Sequence, residues 1–223
     1  MKKALVATLL LLSASTVSAA TYVSVHGAPD PGIGANQTVI DDFEGGMASP
    51  PAGIVYGGSY TIDALTVSGV RAPPAGDTTN YFATPGSEQP LPGIATIDFS
   101  GYIAANRAFS SLSFYWGSVD SYNTLELLNS AGNVYQTIFG TDINNPANGN
   151  QSDPATNQRL FLHFAQGEDF AGLRLTSTQR AFEIDNIAAA AVPEPAIWGL
   201  MLAGFGMVGF AARRRNSRQI VTA

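Results

Sequence analysis

The stretch SSLSFYWG (Ser110–Gly117) alternates apolar and polar residues in the way of a β-strand that is buried on one side. Successive side chains of a strand point to opposite faces, so Leu112, Phe114 and Trp116 share one face and Ser111, Ser113 and Tyr115 share the other. We expect the first face, including Trp116, to lie in the core. The stretch therefore predicts a sheet, one face of which packs against the hydrophobic core.

The same pattern continues on both sides of this stretch as short apolar runs separated by Gly, Pro, Asn and Asp. Asn129–Asn133 (NSAGN) reads as a hairpin turn between two of the runs. About nine strands are predicted within residues 38–190, and residues 21–37 are expected to form an irregular lead-in. Short strands with regular turn signals predict an all-β fold, an antiparallel β-sandwich. Besides the first stretch, the strands are expected at 38–44, 78–83, 94–99, 122–128, 134–139, 160–165, 171–176 and 181–188.

The N-terminus, residues 1–20, has the pattern of a secretory signal peptide. Lys2 and Lys3 precede an apolar run from Ala4 to Leu12, and small residues lead to Ala19 and Ala20. The apolar run is too short to cross a bilayer and is typical of a cleaved signal. It predicts export through the Sec translocon.

The C-terminus joins a proline-rich linker to an apolar run and a basic tail. Residues 191–195 contain Pro193-Glu194-Pro195, residues 196–212 carry no charge, and residues 213–223 include Arg213, Arg214 and Arg215. A helix of this length spans about 25 Å, close to the thickness of a hydrocarbon core. The arginines orient such a helix with its basic end in the cytoplasm. The pattern predicts a C-terminal transmembrane helix.

This tail resembles the PEP-CTERM sorting signal in its PEPxxWA-like form. The residues that carry the resemblance stand in one register: Pro193, Glu194, Pro195, Trp198, Gly204, Gly206, Arg213, Arg214 and Arg215. Gly199 stands where the signal has alanine. The resemblance implies that an exosortase, a membrane cysteine protease, removes the tail. It also implies an exported protein, transiently anchored in the inner membrane and then released to the cell surface or the extracellular polysaccharide matrix of a biofilm.

Three blocks of the body resemble segments of exosortase-dependent surface proteins. They are FYWGSVDSYNTLEL (Phe114–Leu127), NGNQ (Asn148–Gln151) and AFEIDNIAA (Ala181–Ala189). This resemblance implies that the sandwich is jelly-roll-like, similar to a carbohydrate-binding module, and it implies no activity.

The body is strongly acidic once the two ends are set aside. Six of the 11 Lys and Arg residues and one of the 17 Asp and Glu residues lie in the ends, which leaves five basic and sixteen acidic residues, a net charge of about −11. Such a surface repels nucleic acid and suits neutral polysaccharide or divalent cations. The chain has no cysteine, so it has neither a disulfide nor a thiolate nucleophile.

Acidic residues near both ends of the sandwich are candidate metal ligands. Asp41 and Glu44 belong to the first predicted strand and Asp185 to the last, and these two strands are often neighbours in a jelly roll. Their hard oxygen atoms suit Ca²⁺. The resemblance to carbohydrate modules likewise implies a structural Ca²⁺ held by these two strands. The alternative is that the acids are solvated charges on an edge strand.

A second set of residues could contact a glycan. Tyr115 and Tyr122 alternate away from the apolar faces, and Asp142 and Asn150 lie in the polar loop Gly140–Asn157. Aromatic rings and polar loops on a rigid sandwich are common binding elements. A solvated loop without a ligand is an equal alternative, and Asp120, Tyr122 and Asn123 could instead fix the turn before a strand.

Catalysis has little support in this sequence. The histidines are His26, in the lead-in, and His163, on the wetter face of a predicted strand, and no G-x-S-x-G nucleophile elbow occurs. The sequence therefore predicts a non-enzymatic, structural protein of the cell surface or matrix. The alternatives are a carbohydrate-binding, lectin-like module and, with less support, a secreted hydrolase.

Overall fold

Strand β7 (Phe109–Gly117) contains the alternating stretch and lies inside the larger of two sheets. The computed structural model describes residues 19–86, 90–192 and 195–216, with side chains of the C-terminal helix described for 199–213. Leu112, Phe114 and Trp116 have no exposed surface. The Trp116 ring stacks on that of Phe182, with centroids 4.2 Å apart. The predicted core face of this strand is confirmed.

Twelve strands, three helices and one 3-10 turn make up the described chain. The strands are β1 (Thr21–His26), β2 (Thr38–Asp41), β3 (Val55–Gly58), β4 (Thr61–Asp63), β5 (Tyr81–Thr84), β6 (Gly93–Asp98), β7, β8 (Asn123–Leu128), β9 (Val134–Phe139), β10 (Gln158–His163), β11 (Gly172–Ser177) and β12 (Phe182–Ala191). The helices are α1 (Ser100–Asn106), α2 (Gly140–Ile143) and α3 (Pro195–Asn216), and the 3-10 turn is Pro154–Thr156.

The strands form two antiparallel sheets. The seven-stranded sheet has the order β1-β10-β7-β12-β5-β4, and β2 pairs with the second half of β12; the five-stranded sheet has the order β3-β6-β11-β8-β9. Alternating residues from both sheets meet in one core, which extends from Ala20 to Ala189. The predicted all-β antiparallel sandwich is confirmed. Residues 20–192 contain this whole core, so we expect the body to fold without the C-terminal tail.

Most of the predicted strands are present within one to three residues of their expected bounds. The hairpin turn at 129–133 is also confirmed, since the Asn129 amide donates to the Asn133 carbonyl over 2.9 Å. Strands β3 and β4 were not predicted, because half of VYGG is glycine and TID has only three residues, too few to show an alternation.

The lead-in prediction for residues 21–37 is wrong over its first six residues. Thr21–His26 form the edge strand β1, which pairs with β10 along its whole length. Residues 27–37 then turn back over the outer face of the seven-stranded sheet, and residues 71–79 cover the same face beside them. We call 27–37 and 71–79 the covering segments. They make this face a second buried layer.

Strand β12 continues almost directly into the C-terminal segment. After Ala191 the Val192 amide still donates to the Ala108 carbonyl, over 2.9 Å. The helix α3 then starts at Pro195, so the predicted C-terminal helix is confirmed as a helix. Within the described part of the chain, no helix is both long enough and apolar enough to cross a membrane. The signal peptide predicted at 1–20 lies, up to residue 18, outside the described residues, as do Pro193 and Glu194.

Candidate functional site

The three residues predicted as calcium ligands each accept hydrogen bonds from other residues of the protein. Asp41 accepts hydrogen bonds from the Phe43 amide and from the Tyr56 hydroxyl, the latter over 2.6 Å. Glu44 accepts one from the Asn80 amide over 2.8 Å.

Asp185 is the third of these residues, and it lies on the outer face of β12 below a covering segment. Its carboxylate accepts hydrogen bonds from the Thr79 hydroxyl, over 3.1 Å, and from the Asn186 amide, over 2.6 Å. Burial, followed by the hydrogen bond with Asp77, raises the pKa of Asp185 to about 9. Burial opposes ionisation of Asp77 too, but hydrogen bonds from Asp185 and Thr79 lower its pKa. The two carboxyl groups therefore hold a proton between them.

The predicted proximity of β2 and β12 is confirmed, but it does not produce a calcium site. Asp185 and Glu44 contact the neighbouring residues Thr79 and Asn80. Asp41, however, is directed to Tyr56. Across the ranges that the structure describes, no group of three His, Cys, Asp or Glu residues is arranged to hold a metal ion. The three predicted residues are not arranged as one set, because Asp41 is hydrogen-bonded to Tyr56 whereas Asp185 and Glu44 are hydrogen-bonded to Thr79 and Asn80.

Tyr115 is not a sugar platform, and that prediction is wrong. Its side chain has no exposed surface, and its hydroxyl donates to the carbonyls of Gly27 and Ala75, 2.8 Å from each. The alternation correctly placed Tyr115 on the face away from the core. That face is dry because the two covering segments lie on it.

The polar residues predicted from the loop 140–157 fix its local structure. Asp142 accepts a hydrogen bond from the Phe139 amide at the start of α2, over 2.8 Å. The Asn150 side chain accepts one from the Ser152 amide, and the Asn150 carbonyl accepts one from the Thr156 hydroxyl. Asp142 and Asn150 are both exposed. The loop is thus folded on itself rather than open.

Tyr122 lies at a small polar cavity that we call the recess. The recess has a volume of about 130 Å³ and opens beside the exposed Gln151. Four separate segments contribute to it. The lining residues are Gly69, Val70, Arg71, Ser118, Asp120, Tyr122, Gly149, Gln151, Arg180, Ala181 and Glu183.

Local hydrogen bonds explain how these segments meet. Asn123 accepts from the Asp120 amide over 2.9 Å and donates to the Ala181 carbonyl over 3.0 Å, which joins the β7–β8 loop to the start of β12. The Tyr122 hydroxyl donates to the Arg180 carbonyl over 2.8 Å. The structural role expected for this turn is therefore present, and it also presents Asp120 to the recess.

Gly149 allows the loop 140–157 to close against Asp120. Its φ of +63° belongs to the left-handed region, and a Cβ there would lie 2.3 Å from both Asp120 carboxylate oxygens. Only glycine fits at this point without a shift of the carboxylate. The Gly149 amide donates to the Val119 carbonyl over 3.2 Å, which keeps the two loops together.

Glu183 and Arg71 give the recess its electrostatic character. Burial raises the pKa of Glu183 to about 8, and it also raises the pKa of Asp120. The Arg71 guanidinium pairs with Asp63 over 2.6 Å. The walls thus combine the Glu183 carboxyl group, which is protonated at neutral pH, the Asp120 carboxyl group, whose pKa is also raised by burial, and an arginine that is paired with Asp63.

Several polar atoms of the recess have no partner. In the described part of the chain six buried side-chain atoms lack a hydrogen bond, and four of them belong to recess residues: Arg71 Nε and Nη1, Ser118 Oγ and Glu183 Oε2. These three side chains are at least nine-tenths buried. An unpaired buried polar group costs about 1–3 kcal/mol, so such atoms mark a place where water or a ligand completes the bonding.

A larger and more open depression, the groove, lies on the outer face of the five-stranded sheet. It has a volume of about 440 Å³ and is formed by β6, β11 and the end of β8 with its hairpin turn. Its lining residues are Thr96, Ile97, Asp98, Ser100, Leu128, Asn129, Ser130, Ala131, Gly132, Ala171, Gly172 and Arg174.

The polar side chains of the groove are held in place by neighbours. Arg174 donates from Nε and Nη2 to the two carboxylate oxygens of Glu126, over 2.6 and 2.8 Å. Asp98 accepts from the Ser100 amide over 2.7 Å. Ser130 donates to Asp169 over 2.9 Å.

Four residues were predicted from the sequence to contact a glycan. Of these, only Tyr122 lines the groove or the recess. Glu183 gave one further signal, since it is an acid between Phe182 and Ile184 and must point away from the core. The remaining lining residues come from segments far apart in the chain and carry no shared local pattern.

The C-terminal segment matches a known family. The family model of the PEP-CTERM protein-sorting motif matches residues 191–215. The chain therefore carries this sorting motif, as the tail resemblance predicted. The motif marks an exported protein that is transiently anchored in the membrane, is processed by an exosortase and then resides at the cell surface or outside the cell.

Solved structures resemble the body. A family 11 carbohydrate-binding module of the cellulosomal cellulase Lic26A-Cel5E of Clostridium thermocellum is 15% identical with a TM-score of 0.34, and the similarity covers 73% of this chain and 98% of that module. A solution structure of CtCBM11 is 18% identical with a TM-score of 0.25, covering 71% and 97%. No curated protein gives a significant sequence match.

Proposed function

We propose that the body of this exported protein is a non-catalytic domain that binds neutral polysaccharide in the groove. The observation that supports this function is the lining of the groove, in which hydrogen-bond donors and acceptors alternate with small apolar residues. A sugar ring presents hydroxyl groups at its edge and C–H groups on its faces, so a mixed lining suits it.

The charge of the body supports a neutral polymer over an acidic one. A net charge of about −11 repels polyanions at long range. Within the groove, Asp98 and Arg174 carry opposite charges, so the site has no strong preference for an ion. The processed protein would then be retained in the matrix by many weak contacts with its polymers.

Affinity electrophoresis tests this function. Residues 20–192 are run in gels that contain dextran, soluble starch or hydroxyethylcellulose, and retardation by at least one polymer is expected. Ala131→Tyr places a large side chain in the groove from an exposed turn, and we expect it to weaken retention at least about tenfold, or about 1.4 kcal/mol.

Ala35→Tyr is the matched control, because Ala35 is exposed in a covering segment and does not line the groove. It should migrate like the unaltered body. Equal retention of all three proteins would exclude the groove as the site. Absence of retardation in every gel would leave the structural role that the sequence favoured.

A further inference from the structure

We infer that the recess is a second binding site, which takes the hydroxyl-bearing edge of one neutral sugar residue or of a comparable polyol. This inference deepens the proposed function and rests on it for the class of ligand. It concerns a different face of the molecule from the groove and different residues.

The recess has the features of a built site rather than of a packing defect. Arg71, Ser118 and Glu183, which carry the four unpartnered atoms, line one cavity, although these residues are 47 and 65 positions apart in the chain. Gly149 and the hydrogen bonds of Asn123 keep the walls at fixed positions. A random packing fault would not gather most of the unpaired polar atoms at one opening.

The chemistry of these atoms selects hydroxyl groups. Arg71 Nε and Nη1 can only donate, the Asp120 carboxyl group can accept, and Ser118 Oγ can do both. A hydroxyl group also donates and accepts at once, so two neighbouring hydroxyls can satisfy an arginine and a carboxylate together. The lining combines acidic and basic side chains (Asp120, Glu183, Arg71 and Arg180), and this combination suits a neutral ligand better than an ion of either sign.

The size of the recess limits how much of a ligand enters. A volume of about 130 Å³ holds about four waters at roughly 30 Å³ each. That space admits the edge of a single sugar residue and no longer segment. A polymer would therefore reach it through a chain end or a side branch, whereas the open groove accepts the interior of a chain.

Amide NMR spectra of residues 20–192 test the inference with D-glucose, D-galactose, D-mannose and glycerol as probes. We expect at least one probe to shift the amides of Arg71, Ser118, Asp120, Gly149 and Glu183 in a saturable way with millimolar affinity. Gln151→Trp fills the mouth from an exposed position and should weaken that binding at least tenfold.

Ser152→Trp provides the matched control, since Ser152 is exposed on the same turn but does not line the recess. It should bind as the unaltered body does. If no probe shifts the recess amides, or if Gln151→Trp binds as well as Ser152→Trp, the recess holds only water and the inference is wrong.

These tests distinguish failure of the proposal for the groove from failure of the inference for the recess. Polymer retention that is lost in Ala131→Tyr, with no monosaccharide effect at the recess, would keep the proposed function and remove the second site. Monosaccharide binding at the recess without any polymer retention would keep the recess as a binding site and remove the proposed polysaccharide-binding function of the groove.

Discussion

At the scale of single residues, Tyr115 shows how far the meaning of a side chain depends on what covers it. A tyrosine on the outer face of a sheet reads from sequence as a surface aromatic. Here its hydroxyl joins both covering segments to the seven-stranded sheet through the carbonyls of Gly27 and Ala75. Tyr115 is therefore a structural residue.

Tyr115→Phe should lower the free energy of unfolding by about 1–3 kcal/mol, because it leaves two carbonyls of the covering segments without their donor. Urea denaturation followed by fluorescence measures the change. Tyr22→Phe, at a tyrosine of the edge strand β1 that is 37% exposed, is the comparison and should change the stability by less than about 0.5 kcal/mol. Equal effects of the two variants would show that the Tyr115 hydroxyl does not hold the covering segments.

The residues of the core could be predicted at this scale, whereas those of the cavities could not. Leu112, Phe114 and Trp116 follow from the strand period alone. Tyr115 and Glu183 follow as outward-pointing residues, but the period does not reveal whether an outward side chain meets water or a loop. That outcome depends on contacts between distant segments.

At the scale of elements, the segment 27–37 is bound to the sheet by a buried ion pair. Arg159 has no exposed surface, and it donates to Asp30 over 2.5 Å and to the Asn186 carbonyl over 2.7 Å. Gln37, at the other end of the segment, bonds to Ser111 and Ser113. These contacts turn an irregular stretch into a fixed layer.

Asp30→Ala should therefore detach this segment. Removing one partner of a buried ion pair leaves a desolvated charge on the other. We expect the free energy of unfolding to fall by about 2–4 kcal/mol, which is less than for a fully buried pair because Asp30 is partly exposed. Hydrogen–deuterium exchange should show faster exchange at residues 27–37.

Glu126→Gln is the control for an ion pair on the surface. It weakens the Glu126–Arg174 pair, whose arginine is 36% exposed, and should cost about 0–1 kcal/mol. If Asp30→Ala costs no more than Glu126→Gln and leaves exchange at 27–37 unchanged, the pair does not hold the segment.

Strand elements were predictable where alternation was long enough to be read. Strands β7, β8 and β12 have six or more residues with a clear period, and their positions agree with the sequence prediction. Strand β1 was obscured by the Gly- and Pro-rich residues that follow it. Its own sequence, TYVSVH, is a normal edge strand.

At the scale of the whole molecule, the buried acids on the outer face of β12 predict an unusual response to pH. The pKa of Glu183 rises from 4.5 to about 8 and that of Asp185 from 3.8 to about 9, in both cases mainly through burial. Between the unfolded and folded values the folded protein binds more protons than the unfolded chain. Stability must therefore fall as pH rises through this window.

We expect the free energy of unfolding to decrease by on the order of 2–4 kcal/mol from about pH 5 to about pH 9. Urea denaturation at a series of pH values measures this slope. Asp185→Asn and Glu183→Gln keep the shape of the side chains but cannot ionise, so each should flatten the profile and raise stability at the alkaline end.

Asp42→Asn, at an exposed acid, should leave the slope unchanged. A profile that is flat or that rises between these pH values in the unaltered body would contradict the assignment of buried, protonated carboxyl groups to β12.

The export of the protein to the cell surface was its most predictable property, because the sorting motif is a short continuous stretch with its residues in a fixed order. The binding function was the least predictable, since the recess is assembled from the segments around Arg71, Ser118, Gly149 and Glu183. Those segments meet only after both sheets have formed.

The position of β12 ties the completion of folding to the delivery of the chain. β12 is the last strand, yet β7, β5 and β2 all pair with it, and the sorting motif begins at its final residue. We therefore expect the larger sheet to close only after this strand has emerged during export. A closed sandwich is then expected to oppose backward movement of the chain. The exosortase would thus meet the tail only after the body has folded.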